Sequence, residues 1–233
     1  MTEEKELIHV YFMPGMAANS SIFENIKLPE DHFKMHFLEW MIPKKNESLK
    51  NYATRMNKYI EHENAVLIGV SFGGIIVQEM AKSLDLKRLI IISSVKCREE
   101  LPRRMRYAAS TGLFKLIPTS LLDYVDHFEK IAVGDFIKKR AKLYLQYLSV
   151  RNQRYLDWAI ENMVLWNCAK AQKGIVHIHG DKDEIFPIKY IPECITVKGG
   201  THIMILNRYR WFNKYLPEII LSGKIKEKNK KLN

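Results

Sequence analysis

Residues 63–84 read ENAVLIGVSFGGIIVQEMAKSL: an apolar, β-branched run, a serine flanked by small residues, then a second apolar run of helical length. The pattern predicts a strand over 65–70, a turn at Ser71 and a helix behind it. A serine in so sharp a strand-to-helix turn needs neighbours two positions away with almost no side chain, because adjoining backbone approaches closely there. Gly69 and Gly73 meet that need. The turn also sets Ser71 Oγ at the positive end of the following helix, where backbone N–H groups can receive a developing negative oxygen.

Working outward, short strand-like runs recur at 7–12, 33–38, 88–93, 175–180 and 195–198, with helical patterns between them. Strands alternating with helices predict an α/β fold, a mostly parallel sheet of about six strands covered by helices. Between the second and third runs, Leu49, Tyr52, Ala53, Met56 and Ile60 fall at helical spacing behind Ser48, a good N-cap. From about 96 to 166 strand-like runs vanish. That interval predicts an all-helical insertion, with Pro102, Pro118 and Thr119 as breaks and Asp135 and Asn152 as caps. Tyr155, Trp158, Ala159, Met163 and Trp166 form one apolar face, which the carboxyl edge of the sheet is the natural floor to receive. A last helix is expected over about 202–215, with Pro217 kinking or restarting it. The expected organisation is one domain over 1–221 with a helical cap at about 96–166, and a basic, frayed tail over 222–233.

The chain has 233 residues, 47% of them hydrophobic, enough for one sizeable core. No stretch is long enough to span a bilayer, and acidic residues near the N-terminus do not suit a signal peptide, so a cytoplasmic location is expected. Cys97, Cys168 and Cys194 are odd in number and widely spaced, which suggests neither a disulfide framework nor a zinc site. The net charge of +11 would suit an acidic partner. Its main concentration, however, is the tail, where Lys224, Lys226, Lys228, Lys230 and Lys231 surround Glu227. No basic helix interleaved with stacking aromatics is present, so no nucleic-acid partner is expected.

A serine hydroxyl is inert at neutral pH unless a base takes its proton and a third group holds the base. Two later segments supply candidates: Asp181, Asp183 and Glu184 after the run 175–180, and Gly199-Gly200-Thr201-His202 after the run 195–198. Both follow a strand on the edge where Ser71 lies. His177 and His179 alternate along a strand and read as structural. His9, His32, His36, His62 and His127 give no reason to be chosen.

These motifs resemble the α/β-hydrolase superfamily, in its lid-bearing serine hydrolase branch, across residues 7–221. GVSFGG at 69–74 corresponds to the nucleophile elbow, HGDKDEIFP at 179–187 to the acid motif HGxxDxxxP, and GGTH at 199–202 to the base motif. The resemblance implies Ser71 as nucleophile, His202 as base and Asp183 as the acid, with Asp181 and Glu184 as the remaining alternatives. It also implies an oxyanion hole of the backbone N–H groups of Met16 and Phe72, although Pro14 stands where the loop usually carries histidine. Two further departures are a missing leading hairpin and a short interval between Asp183 and His202, with little room for a helix.

The implied activity is cleavage of a carboxylic ester or thioester of a small molecule, without cofactor or metal. The alternatives are a lyase using the same three residues, or a silent ligand-binding member. Phe114, Trp158 and Trp166 could line an acyl pocket or be packing. The sequence does not address oligomeric state.

Overall fold

The computed structural model describes residues 7–116, 147 and 149–225. Six strands run β1 (Ile8–Met13), β2 (Phe33–Phe37), β3 (Ala65–Val70), β4 (Leu86–Ile92), β5 (Val176–Gly180) and β6 (Ile195–Val197). They form one sheet in the order β2-β1-β3-β4-β5-β6, every pair parallel. The expected runs thus become strands within one or two residues of their ends. The central strand β3 is buried throughout, as its unbroken apolar sequence requires.

Side chains alternate between two cores. Tyr11, Met13, Leu67, Leu89 and Ile91 face helices α1 (Leu49–Met56) and α2 (Phe72–Ala81). Val10, Phe12, Val66, Ile68, Ile90 and Ile92 face the other way, onto the last helix. Ser48 caps α1 by accepting from the Asn51 amide. Helix α2 is buried on nearly every side and lies against β3.

Between β4 and β5 the described residues form no strand; their helices are the 3-10 turn Arg98–Glu100, α3 (Arg103–Thr111), the 3-10 turn Leu113–Leu116 and α4 (Gln153–Val164). Asn152 caps α4 as expected, accepting from the Tyr155 amide. Pro118, Thr119, Asp135 and His127, like most of the lysine-rich tail, lie outside the described residues. The expectation for the last helix needs correcting. His202 sits in a turn before a single helical turn, Met204–Asn207, and the main helix α5 (Tyr209–Ser222) begins only after Arg208. Pro217 lies inside α5, flanked by Leu216, Ile219 and Ile220, all buried on the sheet. Their packing holds the helix across the missing N–H. No helix among the described residues is long and apolar enough to cross a membrane.

Candidate active site

The turn at Ser71 is as sharp as the sequence requires. Ser71 has φ 53° and ψ −121°, a conformation L-residues seldom adopt. Its two glycines are obligatory for contact reasons. A Cβ on Gly69 would lie 2.4 Å from the Gly73 carbonyl oxygen, and one on Gly73 would lie 2.2 Å from that of Pro14. Strand, helix and the loop after β1 therefore meet backbone to backbone beside the serine. The Ser94 hydroxyl donates to the Ser71 carbonyl at 2.7 Å and pins the turn from β4's side.

Three side chains predicted from separate motifs come together above this turn. His202 Nε2 lies 2.9 Å from Ser71 Oγ, and His202 Nδ1 lies 2.9 Å and 3.1 Å from the two carboxylate oxygens of Asp183. Because a carboxylate only accepts, Nδ1 carries the ring proton, which leaves Nε2 bare to accept from the serine hydroxyl. Asp183 is buried, and its Oδ1 also accepts from the amides of Ile185 and Phe186, both at 2.9 Å. Asp181 instead accepts from the Gly199 amide and braces the turn before His202. Glu184 is exposed, and its carbonyl accepts from Arg104. Of the three carboxylates in this segment, only Asp183 meets the imidazole.

A second layer had no signal in the sequence reading. Phe186 packs edge-on against the His202 ring, with centroids 5.4 Å apart. Its carbonyl accepts from His179 Nε2 at 2.7 Å. His179 therefore bears its proton on Nε2, and His177 Nε2 donates to its bare Nδ1 at 3.1 Å. Burial lowers the His179 pKa, and a weaker opposing pull from the Phe186 carbonyl and Asp183 does not restore it. Its 3.6 Å approach to Asp183 is thus a contact with a neutral ring. The apolar position three residues after Asp183 is the one clue that could have pointed to Phe186.

The loop after β1 is held on three sides. Trp40 Nε1 donates to the Gly15 carbonyl at 2.9 Å, the Tyr155 hydroxyl accepts from the Ala17 amide at 3.3 Å, and the Val150 amide donates to the Ala17 carbonyl at 2.9 Å. Ala17 has φ 62°, so these bonds hold a strained residue in place. Met16 borders the same cavity as Ser71, and the Phe72 amide opens α2, where helix N–H groups lack intrahelical partners.

That cavity measures about 330 Å³ and reaches Ser71 and His202. Ala18, Ile22, Val70, Met163, Ile203 and Leu206 give it an apolar wall. Trp158 and Trp166 are not among the described residues lining it. Trp158 packs tilted against Tyr52 and donates to the Glu47 carbonyl, while Trp166 donates to Glu79 on α2. Both border a separate groove rich in charged residues. Phe114 is buried and also lies outside the described lining. For Trp158 and Trp166 the packing reading holds, because their indole N–H groups find partners at Glu47 and Glu79, on the α1 and α2 side.

No protein-family model matches the chain, and no curated protein sequence does. Solved structures do. The esterase EaEST from Exiguobacterium antarcticum superposes with a TM-score of 0.62 at 16% identity, over 94% of this chain and 93% of that one. The N-acyl homoserine lactonase AidH, complexed with N-butanoyl homoserine, gives 0.66 at 15% identity over 96% and 93%. ClbQ from the colibactin NRPS/PKS pathway gives 0.61 at 13% identity over 93% and 98%. The chain has the α/β-hydrolase fold. Between β5 and β6 no α-helix is present among the described residues. Only a 3-10 turn, Ile188–Tyr190, stands there among the described residues, as the short interval from Asp183 to His202 requires.

Proposed function

We propose that this chain is a serine hydrolase that cleaves a carboxylic ester or thioester of a small molecule through an acyl-enzyme. The observation carrying this reading is the hydrogen-bonded chain from Ser71 Oγ through His202 to buried Asp183, at the mouth of an apolar cavity. Its structural neighbours include an esterase and a lactonase, which agrees with ester chemistry.

In this mechanism Ser71 Oγ attacks the substrate carbonyl carbon while its proton passes to His202 Nε2. The carbonyl oxygen becomes an oxyanion facing the amides of Met16 and Phe72. As the tetrahedral intermediate collapses, the bond to the alcohol or thiol breaks and that leaving group takes the proton from His202. Water, deprotonated by the same imidazole, then releases the acid and restores Ser71. Asp183 keeps its charge throughout and stabilises the imidazolium that forms transiently beside it. The apolar wall suits a hydrocarbon acyl chain better than a charged one. The helices between β4 and β5 serve as the cap in this reading: Met163 of α4 lines the cavity and Tyr155 of the same helix holds the oxyanion loop.

The test combines a fluorophosphonate probe with a panel of p-nitrophenyl esters and acyl thioesters. A mass increase at Ser71, a burst of leaving group and loss of roughly 10⁴- to 10⁶-fold in kcat for Ser71→Ala are expected. Probe labelling without any acyl adduct would favour a lyase using the same residues. No labelling and no turnover of any ester would make the chain a binding protein.

A further inference from the structure

Three histidines that play no part at Ser71 converge at the opposite end of β1. His9 is its second residue, His36 lies on β2 opposite Tyr11, and His62 lies in the loop leading into β3. Alternation along β1 puts His9 and Tyr11 on one face, and the parallel register brings His36 beside them. One ring nitrogen from each of the three lies within 4.8 Å of the others, the one such group found among the described residues. All three rings are half-buried.

We infer that His9, His36 and His62 form a binding site for a divalent transition metal of the imidazole-preferring class, of which Zn²⁺ is the simplest member. Imidazole nitrogen suits Zn²⁺, Cu²⁺ and Ni²⁺, and three imidazoles with an open fourth position are an established zinc ligand set. His9 Nδ1 and His36 Nε2 are 2.8 Å apart, so at least one of the two nitrogens is bare and the rings are not both protonated. Tetrahedral coordination with metal–nitrogen bonds of about 2.0–2.1 Å separates ligand nitrogens by roughly 3.4 Å. The pair must therefore open slightly. The third nitrogen must come in: the His62 ring now lies flat on His9, centroids 3.4 Å apart, and turns about its Cβ–Cγ bond to aim at the ion. Its place in a loop, outside any strand, leaves that rotation free of the sheet.

The surroundings complete the site. The Tyr11 hydroxyl is 2.6 Å from His62 Nδ1 and accepts from the Glu61 amide at 3.1 Å. With metal on Nε2 of His62, the phenol oxygen would accept the Nδ1 proton, the kind of outer contact that orients ligating histidines. A cleft of about 450 Å³ bordered by Tyr11, His36, Tyr59 and Glu61 opens to this place and gives the ion and a fourth ligand, water or carboxylate, a way in. A bound ion would tie β1, edge strand β2 and the loop before β3 together.

The test uses the full chain, stripped with chelator and titrated with Zn²⁺ against a chromophoric competitor. One Zn²⁺ per chain is expected. Affinity should fall at least about tenfold in His36→Asn and His62→Asn, and by roughly ten- to a hundredfold in Tyr11→Phe. His32→Asn, outside the cluster, should leave it unchanged. Zn²⁺ should raise the melting temperature of the wild type but not of His62→Asn, since an ion bound only by the folded state stabilises it. Co²⁺ absorption of the unmutated chain gives a readout independent of any variant, with intense visible bands expected for a tetrahedral nitrogen site. Equal Zn²⁺ affinity in wild type, His36→Asn and His62→Asn would overturn the inference. So would a Co²⁺ spectrum identical to that of the free aqueous ion.

Discussion

The two ends of the central sheet carry their costs in different currencies. At the carboxyl end the backbone bears them: Ala17, Ser71 and Ser93 take positive φ in the loops following β1, β3 and β4. Each non-glycine residue held there costs of order 1–3 kcal/mol. At the amino end the corresponding position ahead of β3 is Asn64, a residue that tolerates this region well. The polar burden there falls on side chains, with three imidazoles and a phenol stacked in a half-buried cluster. A strained backbone fixes the position of a reacting atom and resists adjustment. A cluster of rotatable rings adjusts readily, which suits capture of an ion and would not suit alignment of a nucleophile.

That contrast can be broken at its strongest point first. Gly73→Ala puts a methyl group 2.2 Å from the Pro14 carbonyl, where only backbone can move, so it should cost about 3 kcal/mol in urea unfolding. Gly112→Ala, at φ 74° with open space around it, should cost only about 1–2 kcal/mol. Equal losses would mean that the elbow relaxes like an ordinary turn.

Next is acid sensitivity. Burial, with help from nearby His179 and Lys96, pushes the His177 pKa well below its ordinary value of 6.5. The unfolded chain therefore takes up this proton first, and stability should fall as the pH drops below about 6.5, by up to about 1.4 kcal/mol per pH unit. Melting curves between pH 7 and 5 should be flatter for His177→Asn than for the wild type.

Tyr155→Phe is the finer probe. It removes the acceptor for the Ala17 amide and should cost about 1 kcal/mol. If that bond holds the oxyanion loop, kcat on an ester should fall up to about tenfold with KM little changed. A stability loss with kcat intact would confine Tyr155 to packing.

Most of the carboxyl end is legible in the sequence because its parts are local. Gly69, Ser71 and Gly73 lie within one turn, and the segments holding Asp183 and His202 each directly follow a strand, so strand-end position brings the segments together, while Asp183 is singled out from Asp181 and Glu184 by the family resemblance. The strand runs are equally local, being apolar stretches of β-branched residues. What could not be read depends on register or on partners far along the chain. His9, His36 and His62 meet only because β1 and β2 pair with Tyr11 opposite His36. Trp158 and Trp166 looked suited to a pocket, but their indole N–H groups bond to Glu47 and Glu79, distant partners that no periodicity announces. Pro217 does not restart the helix: α5 runs through it, with Leu216, Ile219 and Ile220 buried on the sheet.

The short link between β5 and β6 gives this protein an uneven tolerance for change in length. Asp183, Phe186 and His202 share one tether with a single 3-10 turn in it, so a residue added there would shift the Asp183 carboxylate and the His202 imidazole out of step with each other. The link between β4 and β5 carries none of Ser71, Asp183 and His202. Homologues should therefore differ in length between β4 and β5, where new substrate specificities can be tried, and keep the span from 183 to 202 constant.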